Sequence, residues 1–346
     1  MENFGLTIAE GSEITNLTVP SGTAFPANDN VGEMFYRTDL DTMYVRNNTG
    51  WEISGSSSKN KNAIINGDFD IWQRGTSGFG AQSYFADRWV QNTVAPYDNT
   101  ASRQSFTLGQ TDVPNNPKYY SRLSLTVNQT SGSNIRQFIE GVENFANENV
   151  TVSFYTKCSE VNTGTLYIRQ FFGTGGSPSV TVDKFVVIDY TTSWQKITFT
   201  TTLDSIAGKT LGTNGDDRLE FILTTELAST AHDIDIAQVQ VEKGTVATEF
   251  ENRSIGEELA LCQRYYSFGN TIFFCYGGVG NGGYSAVVYF PMEIRTPPSF
   301  ISTNVGSSGT FVSNTVNDKH NAIMTLSANV SGQQTINRSW TADAEL

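Results

Sequence analysis

Charged side chains are scarce in this chain of 346 residues: Lys, Arg, Asp and Glu together make up 16%. There are two histidines, His232 and His320, and three cysteines, Cys158, Cys262 and Cys275. Each shortage excludes something. Two histidines with no H-E-x-x-H, G-x-S-x-G or Gly-rich phosphate loop leave hydrolytic, zinc and nucleotide chemistry without their usual groups. Three cysteines without metal-ligand spacing read as buried thiols and not as a disulfide framework. No apolar run approaches the length of a membrane-spanning helix, and the first residues lack the basic-then-apolar form of a secretory signal, so neither membrane insertion nor signal-led export is expected. Clustered basic residues are missing too. With a net charge of −13 the chain is a poor partner for nucleic acid or anionic lipid.

Glycine (31 residues) and aromatics (12%) are plentiful, and Thr, Ser and Asn replace Lys and Glu as surface polar groups. That mixture suits twisted, turn-rich strands. Strands are expected at 149–157, 165–172, 194–202, 218–224 and 234–242. Their alternation shows in Val150, Val152 and Phe154, in Ile197 and Phe199, and in Ile234, Ile236 and Val239. No helix-period segment between them could serve a βαβ crossover, which favours a sandwich or jelly roll. One convincing helix lies at 250–266. Ser254 and Glu257 have capping-box spacing, and Ile255, Leu259, Cys262 and Tyr266 share a face widened by Leu261 and Tyr265. Glu258 falls inside that apolar arc and needs a partner from outside the helix.

The expected organisation is all-β. Residues 1–53 form a small hairpin module with Asp39–Asp41 in its turn, too poor in apolar side chains to stand alone. Residues 54–62 are a flexible linker, 63–253 a jelly-roll sandwich, 254–266 the connecting helix and 267–346 a distal β-sandwich.

Several segments resemble bacteriophage tail-fibre and receptor-binding proteins. The run Ala63-Ile-Ile-Asn-Gly-Asp-Phe-Asp-Ile-Trp-Gln-Arg-Gly75 with Tyr84-Phe-Ala-Asp-Arg-Trp89 is similar to the opening of their carbohydrate-binding-module-like jelly roll. Asp233–Gly244 with Ala247–Glu251 resembles its closing strand, and Glu258–Tyr266 the element that follows. Pro291–Pro298 and Trp340–Leu346 resemble their distal domain, and Phe35-Tyr-Arg-Thr-Asp39 a module at fibre attachment ends. The resemblance implies a non-enzymatic, homotrimeric virion fibre on phage tail or head, exposed to the extracellular medium. Residues 1–53 would join other virion proteins, and the sandwiches would bind host surface glycan. A capsid or tail decoration protein, or a glycan-depolymerising spike, are the rival readings.

No catalytic residue is expected. Asp216-Asp217 and Glu257-Glu258 fit a turn and a helix start more simply than a glycosidase pair. No cofactor is expected except a structural Ca²⁺: Asp68 and Asp70, two apart on an expected strand, could converge with Asp235 if the first and last strands of the jelly roll pair. Trp72, Trp89 and Trp194 are assigned to core packing. Ligand contact is expected from loop aromatics, Tyr97 and Tyr119 in the jelly roll and Tyr276 and Tyr284 in the distal sandwich. Oligomer contact is expected through Ile255, Leu259, Leu261 and Tyr265, because single sandwiches leave edge strands that want company.

Overall fold

The computed structural model describes residues 19–26, 30–38, 42–46, 51–53, 61–79, 83–92, 99–125, 133–224, 231–277, 283–306, 310–327 and 332–346. The chain divides into two compact units, Met1–Asn60 and Lys61–Leu346. In the first, β1 (Ser21–Gly22), β2 (Met34–Arg37), β3 (Thr42–Arg46) and β4 (Trp51–Ile53) form one sheet in that order. The expected hairpin is the antiparallel pair β2–β3; its turn, 39–41, lies outside the described residues. Phe25 stacks on Trp51 at 5.2 Å and meets Tyr44 edge-on at 4.9 Å, so an aromatic cluster stands in for the aliphatic core this segment lacks.

The second unit opens with twelve strands: β5 (Ser77–Phe79), β6 (Ser83–Tyr84), β7 (Trp89–Asn92), β8 (Thr100–Ser105), β9 (Tyr119–Leu125) and β10 (Asn134–Glu140), then β11 (Asn149–Cys158), β12 (Asn162–Phe171), β13 (Val182–Tyr190), β14 (Gln195–Thr202), β15 (Arg218–Thr224) and β16 (His232–Lys243). They form two six-stranded sheets, β13-β12-β15-β10-β7-β6 and β14-β11-β16-β9-β8-β5. Alternation decides which way each strand faces. Ile197 and Phe199 pack on the core while Lys196, Thr198 and Thr200 point out. The core between the sheets gathers Phe69, Trp72, Phe85, Trp89, Phe154 and Phe221 with aliphatics from every long strand. Trp72 and Trp89 are core residues, as expected.

Residues 61–67 run alongside β16. Ala63 N–H donates to the Val241 carbonyl, and Val239 N–H to that of Gly67. The approach needs glycine, since a Cβ on Gly67 would sit 2.2 Å from the Val239 oxygen. Asn66 (φ 57°) and Phe69 (φ 56°) then turn the chain, so Asp68 lies in a turn and not on the expected strand.

Helix α1 (Ile255–Gln263) is shorter than its apolar pattern, and Ser254 Oγ accepts from Glu257 N–H at 3.3 Å. Glu258 finds the required partners outside the helix, the backbone N–H of Asn66 and the Arg253 guanidinium. After it come β17 (Tyr266–Gly277), β18 (Gly283–Tyr289), β19 (Ser299–Asn304), β20 (Thr310–Val316), β21 (Asn321–Ser327) and β22 (Gly332–Asp343). They pair as β17-β22-β19 and β18-β21-β20 around Val288, Phe290, Ile294, Met324 and Trp340. Buried ion pairs tie this small sandwich to the large one. Arg88 reaches Glu345 and lies 3.4 Å from the Tyr265 ring centroid, and Arg74 lies 3.6 Å over Tyr266.

Candidate functional site

Strand β16 carries an irregularity that shapes the outer face of the second sheet. Ile234 and Ile236 face the core, but so do Val239 and Val241, so the inward parity changes between 236 and 239. One extra residue is accommodated there: Ser153 pairs with Gln240, whereas Tyr155 pairs with Ala237. The bulge places Gln238 at φ 51°, a left-handed conformation that is rare for a side chain of this kind. β-bulges commonly re-aim a side chain at a binding site.

Gln238 is aimed at a cavity of about 270 Å³ lined by Pro114, Ser153, Tyr155, Lys196, Gln238, Ala247, Thr248, Glu249 and Phe250. Its amide N–H donates to the Pro114 carbonyl at 2.9 Å, which fixes the orientation of the amide. The amide oxygen is then buried without any partner, although the residue is only 2% exposed. A buried acceptor with no donor is costly unless a ligand hydroxyl or water supplies one. The rest of the lining suits a sugar: the Tyr155 and Phe250 rings give apolar faces, and Ser153, Thr248, Lys196 and Glu249 give polar groups.

The same face continues into an aromatic trio formed by Tyr120 on β9, Phe106 just after β8 and Trp194 just before β14. Phe106, Tyr120 and Trp194 meet with ring centroids 4.7 to 5.3 Å apart. Lys157 Nζ stands 5.1 Å over Trp194. Trp194 therefore departs from its expected place in the core. Its parity with Lys196 and Thr198 turns it outward, where the other two rings half-bury it.

The residues expected to bind ligand are elsewhere. Tyr119 points to the opposite side of β9 from Tyr120, flanked by Arg103 at 4.3 Å and Lys118 at 4.9 Å. Tyr284 packs against the distal core. Tyr97, and the side chain of Tyr276, lie outside the described residues. Part of the cavity lining comes from strands and not only from loops: Ser153 and Tyr155 lie on β11 and Gln238 on β16. The missed signal was the three-residue step from Ile236 to Val239 in a strand of period two.

The three carboxylates considered for Ca²⁺ do not converge. Asp235 is bound by Arg122 at 2.7 and 2.8 Å, with Lys157 at 3.6 Å, on the outer face. Asp68 and Asp70 line a small cavity of about 30 Å³ together with Asn66, Arg253 and Glu258. Among the described residues no group of three His, Cys, Asp or Glu is placed to hold a metal ion. Burial, with Asp70 and Glu258 nearby, pushes the Asp68 carboxyl up to about 8. Of the expected oligomer contacts, Ile255 is 60% exposed and Leu259 and Leu261 are half-buried. Tyr265 is 4% exposed and enclosed by its own chain beneath Arg88, so it offers no free surface.

No protein-family model matches this chain, and no curated protein matches its sequence. Among solved structures it is similar to the enzymatically active domain of tailspike protein 4 from bacteriophage CBA120 (13% identity, TM-score 0.34), over 53% of this chain and 22% of that one. It spans only about a fifth of that tailspike. A CBM4 structure matches at 18% identity and TM-score 0.32, over 52% of this chain and 99% of that one. The N-terminal cellulose-binding domain of Cellulomonas fimi β-1,4-glucanase C matches at 16% and 0.31, over 50% and 97%. These likenesses are weak, and the site stands on its own geometry.

Proposed function

We propose that this protein is a glycan-binding, non-enzymatic fibre of a phage particle, and that it holds sugar in the cavity between Tyr155 and Phe250. The observation that carries the binding reading is the buried, unpartnered Gln238 oxygen at the wall of a sugar-sized cavity. A sugar hydroxyl donates to that oxygen while the pyranose face lies against Tyr155. Polar lining groups on Ser153, Thr248 and Glu249 then discriminate one ring substitution from another. The fibre reading rests on the sequence segments named above. Weak binding at each cavity would be strengthened by several copies on one particle.

The test is a titration of host surface polysaccharide fragments against the protein and two variants. Tyr155→Ala and Gln238→Met are each expected to weaken binding about tenfold or more, about 1.4 kcal/mol, with the fold intact by circular dichroism. Unchanged affinity in both would remove the cavity from consideration. New reducing ends after incubation with polysaccharide would contradict the non-enzymatic reading. Antibody against the distal sandwich should label the outer tip of projecting fibres in electron micrographs of particles.

A further inference from the structure

The outer face of the first sheet is the opposite side of the sandwich from the cavity, and its chemistry differs. Register aligns Phe185 on β13, Tyr167 on β12, Ile222 on β15 and Arg136 on β10 in one row. None of their strand neighbours in the core shares this face, since Val186, Leu166, Ile168, Phe221 and Ile135 all point inward. The Tyr167 and Phe185 rings lie 5.6 Å apart, and Phe185 is 61% exposed, so an aromatic surface on this row is open to a ligand.

The next row holds the charges. Arg169 donates through Nε and Nη2 to Asp183 at 2.7 and 2.9 Å and lies 3.9 Å from Glu220. Arg218 donates to Glu220 at 2.7 Å and stacks on Phe138 and Phe171. Both carboxylates are thereby taken by Arg169 and Arg218. Arg136 has a different position. Its Nε donates to Asn134 Oδ1 at 2.5 Å, and among the described residues no carboxylate lies within 4 Å of it. Among the described residues its Nη groups have no hydrogen-bond partner. Burial holds its pKa below the usual guanidinium range; Glu220 opposes this from beyond ion-pair distance, while Arg169 and Arg218 add to it. A half-buried cation beside two others gains from an incoming anion, and a guanidinium fork matches a planar carboxylate bidentately.

We propose that this face binds an acidic oligosaccharide, with the carboxylate of a uronic acid held by the two Nη groups of Arg136 and a neighbouring ring laid on Tyr167 and Phe185. Arg136 and Tyr167 stand two strands apart, about 10 Å, so adjoining sugars of one short chain reach both. A nucleic acid would meet the chain's net charge of −13 along its whole length, whereas a short uronate meets only the local cation. The site is separate from the cavity and does not depend on it.

The test is calorimetric titration with a galacturonic acid trimer, its methyl ester and a sulfated trisaccharide. The acid is expected to bind at least tenfold tighter than the ester, with affinity falling as salt rises. Arg136→Gln should bring the acid down to the ester's affinity, and Arg136→Lys should not restore it. Phe185→Ala, at an exposed position, should weaken acid and ester alike. Equal affinity for acid and ester, or no loss in Arg136→Gln with the fold intact, overturns the proposal. Equal binding of the sulfated sugar overturns the choice of carboxylate. Loss of acid binding in Tyr155→Ala but not in Arg136→Gln would place the acid in the cavity and overturn this site.

Discussion

Gln238, Arg136 and Asp68 are each held in a state that costs free energy in isolation: an unpaired acceptor, a half-buried cation without a close ion pair and a buried acid. Asp68 gives the most direct solution test. Its pKa is raised to about 8 in the folded chain against an ordinary value of 3.8, so the folded state holds a proton that the unfolded state has released. Asp87, raised by burial to about 6, acts in the same direction. The stability due to these protons is complete below about pH 4 and is lost as pH rises towards 6 and then 8. Denaturant titrations from pH 5 to 8.5 should show this decline, with a slope of at most about 1.4 kcal/mol per pH unit for each proton. Asp68→Asn keeps the shape and removes the titration, so its curve should be flatter above pH 6. An unchanged slope would mean that Asp68 is ionised in the fold.

At the scale of elements, two joints hold the second unit together. The first is the close passage of 61–67 along β16, where Gly67 leaves no room for a Cβ. Gly67→Ala should therefore cost about 1–3 kcal/mol and lower the melting temperature, because backbone and not a flexible side chain must move. The second is the end of the chain. Glu345 is buried against Arg88 and Arg74, and Tyr84 donates to the Leu346 carbonyl at 3.0 Å. Glu345→Ala leaves Arg88 buried with its charge unmatched, and a loss of about 3–5 kcal/mol is expected in chemical unfolding. A loss below 1 kcal/mol would mean that water reaches the Arg88 guanidinium.

For the whole molecule, the acidic balance limits where copies of the chain can meet. The outward side of β17 carries Phe268, Ile272 and Phe274, all more than half exposed, and Ile301 on β19 lies on the same face. Thr335, Asn337, Ser339 and Thr341 of β22 separate them without adding a charge. Of the surfaces described, this one is better suited to self-association than the helix, whose Tyr265 is enclosed. Light scattering is expected to give the mass of three copies at micromolar concentration, and Phe268→Asp with Phe274→Asp to reduce it to one. A chain beginning at Lys61 should keep both its melting transition and its sugar binding, since Lys61–Leu346 is compact by itself. Loss of either would make the first unit part of the fold of the second.

Local pattern was enough to determine the β class, the cap at Ser254 and the need of Glu258 for an outside partner. Each depends on neighbours three or four residues away, or on the two-residue period of a strand. Of three tryptophans assigned alike to the core, Trp72 and Trp89 are buried there and Trp194 is not. Spatial convergence was decided only by tertiary structure. Asp68, Asp70 and Asp235 share a residue type and a plausible spacing, but strand register sends Asp235 to Arg122, and the turn through Asn66 and Phe69 places Asp68 beside the same small cavity as Glu258. Tyr119 and Tyr120 are adjacent in sequence and face opposite sides of a sheet. The cavity exists because a one-residue bulge in β16 lets two inward runs of opposite parity share one core, and that bulge leaves Gln238 facing out with an oxygen unsatisfied. A period-two sequence records which residues alternate, but the strand paired beside it decides where the alternation must break.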